Sequence, residues 1–122
     1  MALQNLDRMA ARYAQAIAKT GEPKKTATLL TRALGVLHEQ GVYACLLFLQ
    51  AQDGGRPVLQ QLEALLRELP VAPPAPGQNI LQFVADNLSG RLDDLLLVRD
   101  VYEQALIYGR YSAKARGREE AT

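Results

Sequence analysis

The stretch GVYACLLFLQAQ, from Gly41 to Gln52, contains no charged residue, although Glu39 and Asp53 stand close to its two ends. Its apolar side chains fall on every side of a helical wheel, and a helix of that kind is normally surrounded by other elements. Gly41 is the residue type that best tolerates a left-handed conformation at the end of a preceding helix. The stretch therefore predicts the central helix of an all-α domain.

The same stretch also suits a buried β-strand, because Val42, Tyr43 and Phe48 lie in a continuous apolar run. A helix is favoured, since ACLLFLQA is rich in straight-chain helix formers. A central helix and the apolar side of the helix that follows it should both be covered by neighbouring elements. We expect almost complete burial of Cys45, Leu47, Phe48 and Leu62.

Helical periodicity covers most of the remaining chain, with polar residues opposite the apolar ones. Glycine and proline mark the helix ends, as in GEP after the first helix and DGGRP before the fourth. The first two expected helices cover about Asn5–Thr20 and a segment that begins at Lys24 or Thr26 and ends at Gly41. The third is the quoted stretch, and the fourth begins at about Pro57. The fifth lies around Ile80–Leu88 and is interrupted by Gly90, and the sixth covers about Leu95–Arg116. Six helices without a strand signal predict a compact helical bundle in a single domain, residues 1–122.

Length and composition are those of one ordinary globular domain, with 122 residues, 48% hydrophobic and 22% charged. Neither a signal-peptide pattern nor a membrane-spanning apolar run is present, which predicts a cytoplasmic protein. PVAPPAPG, residues 70–77, predicts a stiff connection between two halves of the domain, or alternatively a polyproline ligand. The polar segment 117–122 is expected to be a flexible tail.

Residues that carry chemistry are scarce in this chain. It has one histidine, His38, and one cysteine, which is too few for a His/Cys metal site. A catalytic triad would have to be built on His38, whose place near a helix end favours a solvated role. Asp86, Asp93 and Asp94 could hold Mg²⁺, but adjacent aspartates on a helix point apart. We expect neither an enzyme nor a metal or cofactor.

Positive charge is concentrated in two parts of the chain, although the net charge is only +1. Arg8, Arg12 and Lys19 lie within about 40° on the wheel of the first helix. Basic faces are often merely solvated, so charge alone leaves their role open. The first basic set is Arg8, Arg12, Lys19, Lys24, Lys25 and Arg32, and the second, on the last helix, is Arg110, Lys114 and Arg116.

Three segments, LDRMAARYAQAI, GVYACLLFLQAQ and YEQALIYGRYSAKA, resemble the small subunit family of the type III-B CRISPR RNA-guided effector complex, the Cmr complex. The resemblance spans nearly the whole chain in length and helix order. It implies a non-catalytic helical protein that stacks in copies beside the backbone subunits and helps line the channel for guide and target RNA. Base pairing would then read the sequence, while the protein contacts backbone and shape.

The resemblance implies that both basic sets are candidates for contact with RNA phosphates, the first set before the second. The wheel of the last helix places Ile107 and Tyr111 opposite Val98, Ala105 and Gly109. If the small-residue side packs inward, Ile107 and Tyr111 point outward as neighbours, which predicts an interface with another subunit or copy. Burial of the last helix on both sides is the alternative.

Other functional classes remain open on sequence alone. The small subunit of the related type III-A complex would have a similar role with different neighbours. A helical protein-interaction adaptor would not involve RNA. A helix-turn-helix DNA-binding regulator would place a recognition helix after GEP or Gly41, but the helix after Gly41 carries no charge.

Overall fold

Six α-helices follow one another along the computed structural model, which describes residues 3–70, 79–88 and 91–121. They are α1 (Leu3–Ala18), α2 (Pro23–Gln40), α3 (Val42–Ala51), α4 (Gly55–Glu68), α5 (Ile80–Phe83), which continues into a π-helical turn over Val84–Leu88, and α6 (Leu92–Ala121). None of these residues forms a β-strand, so the all-α prediction is confirmed. Over the same ranges, each helix is too short or too polar to cross a membrane.

The ends of α2 are formed by residue types that are typical of helix ends. The Glu22 carboxylate caps the first turn by accepting hydrogen bonds from the backbone N–H groups of Lys24 (3.1 Å) and Lys25 (3.2 Å). Pro23 takes the first helical position, where its missing N–H leaves no bond unmade. Gly41 ends the helix with a positive φ of 96°, which favours glycine, but its ψ of −173° lies outside the left-handed helical region of the predicted cap.

The central element of the bundle is α6 rather than α3, which corrects the prediction from the uncharged stretch. Both α1 and α2 pack along α6. α2 runs antiparallel to it, with Pro23 beside Gly117 and His38 beside Glu103 at the opposite end. A Cβ atom at Gly109 would lie only 3.1 Å from Leu30 Cδ1, so α6 and α2 approach closely there.

α1 is held to α6 by polar contacts as well as by its apolar side. The Tyr108 hydroxyl donates a 2.6 Å hydrogen bond to Asp7 Oδ1 near one end of α1. The Arg116 guanidinium donates from Nη1 to the carbonyl oxygen of Ala18, at 2.6 Å, at the other end. Between these contacts, Ile17 is completely buried in the core.

α3 lies at the side of the bundle and is covered on one face only. Its buried residues are Val42, Cys45, Leu46 and Leu49. Leu47 is 47% exposed and Phe48 is partly buried, so the prediction of almost complete burial is wrong for both. It is confirmed for Cys45 and Leu62, at 0% exposure. An apolar wheel does not specify which side meets a neighbour, and α2 and α4 reach only one side of this ten-residue helix.

α6 is longer than predicted at both ends. It begins at Leu92 and continues to Ala121, so the segment expected as a tail from residue 117 continues as helix. Arg, Glu and Ala in this segment are all good helix formers, which explains the extension. Residues 71–77 of the predicted proline-rich connection lie outside the described residues.

Candidate nucleic-acid interface

A groove of about 780 Å³ runs between the first half of α2 and the last turns of α6. Four cationic residues line it: Lys24 and Arg32 from α2, and Lys114 and Arg118 from α6. We call it the α2/α6 groove. It brings members of both predicted basic sets to one surface, although they lie far apart in the chain.

Small residues form the floor of the α2/α6 groove. Ala27 and Ala113 line it and, together with Ala18, form a separate buried apolar cluster. A Cβ atom at Gly117 would come within 3.3 Å of Pro23 Cβ, so the two helices nearly touch below the groove. The cationic side chains therefore rise from helices whose spacing is fixed by close packing.

The charge of the α2/α6 groove is predominantly positive. Glu22 is the single carboxylate among the described lining residues, and its oxygens already accept the capping hydrogen bonds at the start of α2. The hydroxyls of Thr28 and Thr31 also line the groove, and each donates a 3.0 Å hydrogen bond to a backbone carbonyl one turn earlier. Anionic groups are thus the ligands that this surface favours.

Arg32 is positioned by α3. Its guanidinium carbon lies 5.2 Å from the centre of the Phe48 ring, a cation–π arrangement. Its Nη1 atom donates a long, 3.5 Å hydrogen bond to Gln52 Oε1. The Phe48 ring, whose partial exposure the sequence did not predict, thus holds Arg32 in place at one end of the groove.

Two of the predicted basic residues hold helices together instead. Arg12 donates from Nη2 to both carboxylate oxygens of Glu68, at 2.7 and 2.9 Å, and this joins α1 to α4. The hydroxyl of Tyr13 donates to the same carboxylate. The hydrogen bond to Glu68 raises the pKa of Arg12. Arg116 binds the end of α1, as described above, and lies outside the groove lining.

The other predicted basic residues are distributed around the bundle. Arg8 is exposed on α1 and Lys19 in the turn that follows it, and Lys25 is exposed on α2 but does not line the groove. Arg110 is half-buried, and its buried Nε has no hydrogen-bond partner within the described part of the chain. The structure therefore brings together only Lys24, Arg32 and Lys114 from the two predicted sets.

Arg118 is the groove residue absent from those two sets. It follows Lys114 by four positions, the spacing that places two side chains on the same face of a helix. The signal was present in the sequence, but the last helix was predicted to end before it. Because α6 continues to Ala121, Lys114 and Arg118 lie on the same helix.

The two residues predicted as an interface differ in their surroundings. Ile107 is half-buried and packs against the main core. Tyr111 is 59% exposed, and the Arg110 guanidinium carbon lies 5.4 Å from the centre of its ring. A surface role thus fits Tyr111 better than Ile107.

The histidine and two of the aspartates considered as catalytic or metal-binding candidates make ordinary structural contacts. His38 Nε2 lies 2.8 Å from Glu103 Oε2, joining α2 to α6. Gln82 donates a 2.6 Å hydrogen bond to Asp86, and Arg91 forms a 3.6 Å ion pair with Asp94. Within residues 3–70, 79–88 and 91–121, no group of three His, Cys, Asp or Glu side chains could hold a metal ion.

Comparison of the chain with protein-family models, with curated proteins and with solved structures gives no match. The physical character of the surface therefore carries the functional argument. Four long cationic side chains around the α2/α6 groove can bind several phosphates at once, without selecting among bases.

Proposed function

We propose that this chain is the non-catalytic small subunit of a type III-B CRISPR RNA-guided effector complex and acts in the cytoplasm. It contributes sequence-independent contacts to the guide and target RNA, beside other subunits and neighbouring copies of itself. The α2/α6 groove, with its four cations, is the observation that carries the RNA-binding part of this proposal. The resemblance of the three sequence segments supplies the identity of the complex.

The arrangement of the cations suits a nucleic-acid backbone. Lys24 and Arg32 are eight residues apart on α2, which corresponds to about 12 Å along the helix. Lys114 and Arg118 are four residues apart on α6, or about 6 Å. Successive phosphates of a strand lying in the groove could therefore meet cations from both walls, and none of these contacts requires a particular base.

RNA binding by the free protein should be weak and strongly dependent on salt. Four phosphate contacts predict a slope of about −3 for log affinity against log salt concentration with single-stranded RNA. Arrayed copies in a complex would convert such weak contacts into useful affinity through avidity. The affinity should be the same for two RNAs of unrelated sequence.

A pair of charge-reversal variants tests this function. Lys24→Glu combined with Lys114→Glu removes one cation from each wall of the groove. The matched control, Arg8→Glu with Lys19→Glu, makes the same change in charge at exposed residues of α1 and of the turn that follows it. Fluorescence anisotropy with labelled RNA should show a large loss of affinity and a shallower salt slope for the groove variant only. Equal losses in both variants would assign the binding to net charge and refute the groove.

Membership of the type III-B complex needs a separate measurement. The protein should be incorporated when it is co-expressed with the other subunits of a type III-B complex and a guide RNA. Incorporation into a type III-A assembly instead would favour the related family.

The second candidate function is a protein-interaction adaptor. The observation that favours it is the exposed apolar pair on α3, Tyr43 at 43% and Leu47 at 47%, which lie one turn apart. An adaptor would bind its partner through this pair, and the groove variant would leave that binding unchanged.

A further inference from the structure

Tyr111 is the most exposed of the described aromatic residues. It is 59% exposed, whereas Tyr102 is fully buried and the hydroxyls of Tyr13 and Tyr108 bond to carboxylates on other helices. The guanidinium of Arg110 lies over the Tyr111 ring at 5.4 Å. This contact supports one side of the ring and leaves the rest to solvent.

Tyr111 precedes the α6 residues that line the α2/α6 groove and is not itself part of the lining. Lys114 and Arg118 follow it by three and seven positions, which places all three within about 60° on the helical wheel. The rise from Tyr111 to Lys114 is about 4.5 Å, and from Tyr111 to Arg118 about 10.5 Å. An aromatic ring therefore precedes two groove cations along a single line.

We propose that Tyr111 is a base-stacking platform and that the α2/α6 groove binds single-stranded rather than duplex RNA. One unpaired base lies on the exposed side of the Tyr111 ring, and the following phosphates lie against Lys114 and Arg118. This inference rests on the proposed function and deepens it by specifying the form of RNA and the aromatic contact.

The combination of ring and cations distinguishes single strands from duplexes. In an A-form duplex the faces of the bases are covered by their stacked neighbours, so a side chain at the surface meets only backbone and base edges. In a single strand a base can turn outward and stack on an aromatic side chain while cations follow the backbone. The Arg110 guanidinium adds a cation beside the ring, which strengthens attraction to an anionic strand.

A fluorescence experiment tests the contact directly, because the chain contains no tryptophan. Tyr111→Trp introduces a single reporter at the platform, and Tyr43→Trp introduces the matched control on the exposed face of α3. An eight-nucleotide oligoadenylate should quench the emission of Tyr111→Trp as the RNA saturates. It should leave the emission of Tyr43→Trp unchanged, and a blunt RNA duplex should quench neither.

Affinity measurements provide the second test. Tyr111→Ala should weaken binding of the oligoadenylate by about fivefold or more, which corresponds to loss of one stacked base. Tyr111→Phe should retain parental affinity, because its ring still stacks. Neither change should alter the salt slope, since no phosphate contact is lost. Binding of the duplex should be the same for all three proteins.

Each adverse result points to a different failure. If Tyr111→Ala binds oligoadenylate like the parent while Lys24→Glu with Lys114→Glu does not, stacking is refuted and the groove still binds RNA. If Tyr111→Ala weakens duplex and single strand equally, selectivity for single strands is refuted. If the parent protein binds neither RNA, both the stacking proposal and the proposed RNA-binding function fail.

Discussion

The hydroxyl of Tyr102 donates a 2.9 Å hydrogen bond to the main-chain carbonyl oxygen of Leu62, linking the middle of α6 to α4. Both side chains are completely buried, and burial raises the pKa of the Tyr102 phenol well above its ordinary value. The neutral phenol is therefore required by the native state.

Tyr102→Phe should lower the free energy of unfolding by about 1 kcal/mol at pH 7, because the hydrogen bond is lost and the ring is retained. The parent should also lose more stability than the variant as pH rises above about 10, the pKa of an unfolded tyrosine. A raised native pKa means that unfolding releases a proton there, so alkali favours the unfolded chain. Urea titrations from pH 7 to 11 measure both effects. Parallel pH profiles for parent and variant would contradict the argument.

Adjacent leucines of α3 should respond in opposite ways to truncation. Leu46 is 0% exposed, so Leu46→Ala should cost about 2–5 kcal/mol through lost transfer energy and the cavity left behind. Leu47 is 47% exposed, so Leu47→Ala should change stability by less than about 1 kcal/mol. Thermal and urea denaturation of the two variants supply the comparison. A large loss of stability in Leu47→Ala would contradict the position of α3 at the side of the bundle.

The thiol of Cys45 should be almost unreactive in the native protein. Burial raises its pKa to about 12, and its Sγ lies 3.5 Å from the carbonyl oxygen of Ala33. At pH 8 only about one thiol in ten thousand would be ionised, and the thiolate is the nucleophile. Reaction with a thiol reagent should be on the order of a thousandfold slower than in urea. A native rate close to the unfolded rate would show that α3 opens readily.

The Glu68 carboxylate should make stability sensitive to acid. Its pKa is lowered, first by the hydrogen bond from Tyr13 and then by Arg12. A lowered native pKa stabilises the fold above the pKa of an unfolded glutamate, about 4.3, and this stabilisation is lost as pH falls through the native value. Glu68→Gln should therefore flatten part of the acid limb of a plot of melting temperature against pH.

That effect should be modest, because the side chains of Arg12 and Glu68 are 64% and 40% exposed and solvent screens their attraction. Tyr13→Phe removes the first cause of the lowered pKa and should reproduce part of the change. An acid limb that is identical in all three proteins would show that this cluster contributes nothing to acid sensitivity.

Local sequence patterns were sufficient to predict the helical class and most helix positions. Gly41 stops α2 as its residue type suggests, and Leu62 is buried as the periodicity of α4 requires. The orientation of α3 was not predictable, because a wheel that is apolar all round carries no information about direction. The length of α6 was underestimated because its last residues are polar, although they are good helix formers.

The candidate site was predictable only in part, because it depends on contacts between distant parts of the chain. Lys24 and Lys114 reach one groove only after α2 and α6 have packed against each other. Arg12 is predicted from the sequence as a candidate for RNA contact, but it forms an ion pair with Glu68, which lies 56 residues away in the chain. Periodicity reports which side of a helix is polar, and it does not report which opposite charge will be brought to that side.

The packing of α1 against α6 also has a consequence for the order in which the protein folds during synthesis. The bond between Asp7 and Tyr108 joins residues 101 positions apart. At typical translation rates of about 5–20 residues per second, α1 is made at least several seconds before the helix that covers it. A nascent chain that stops before Gly109 holds Ile17 without the part of α6 that lies beside it. α1 thus completes its packing only after α6 has been made, and until then its apolar side is available to a chaperone.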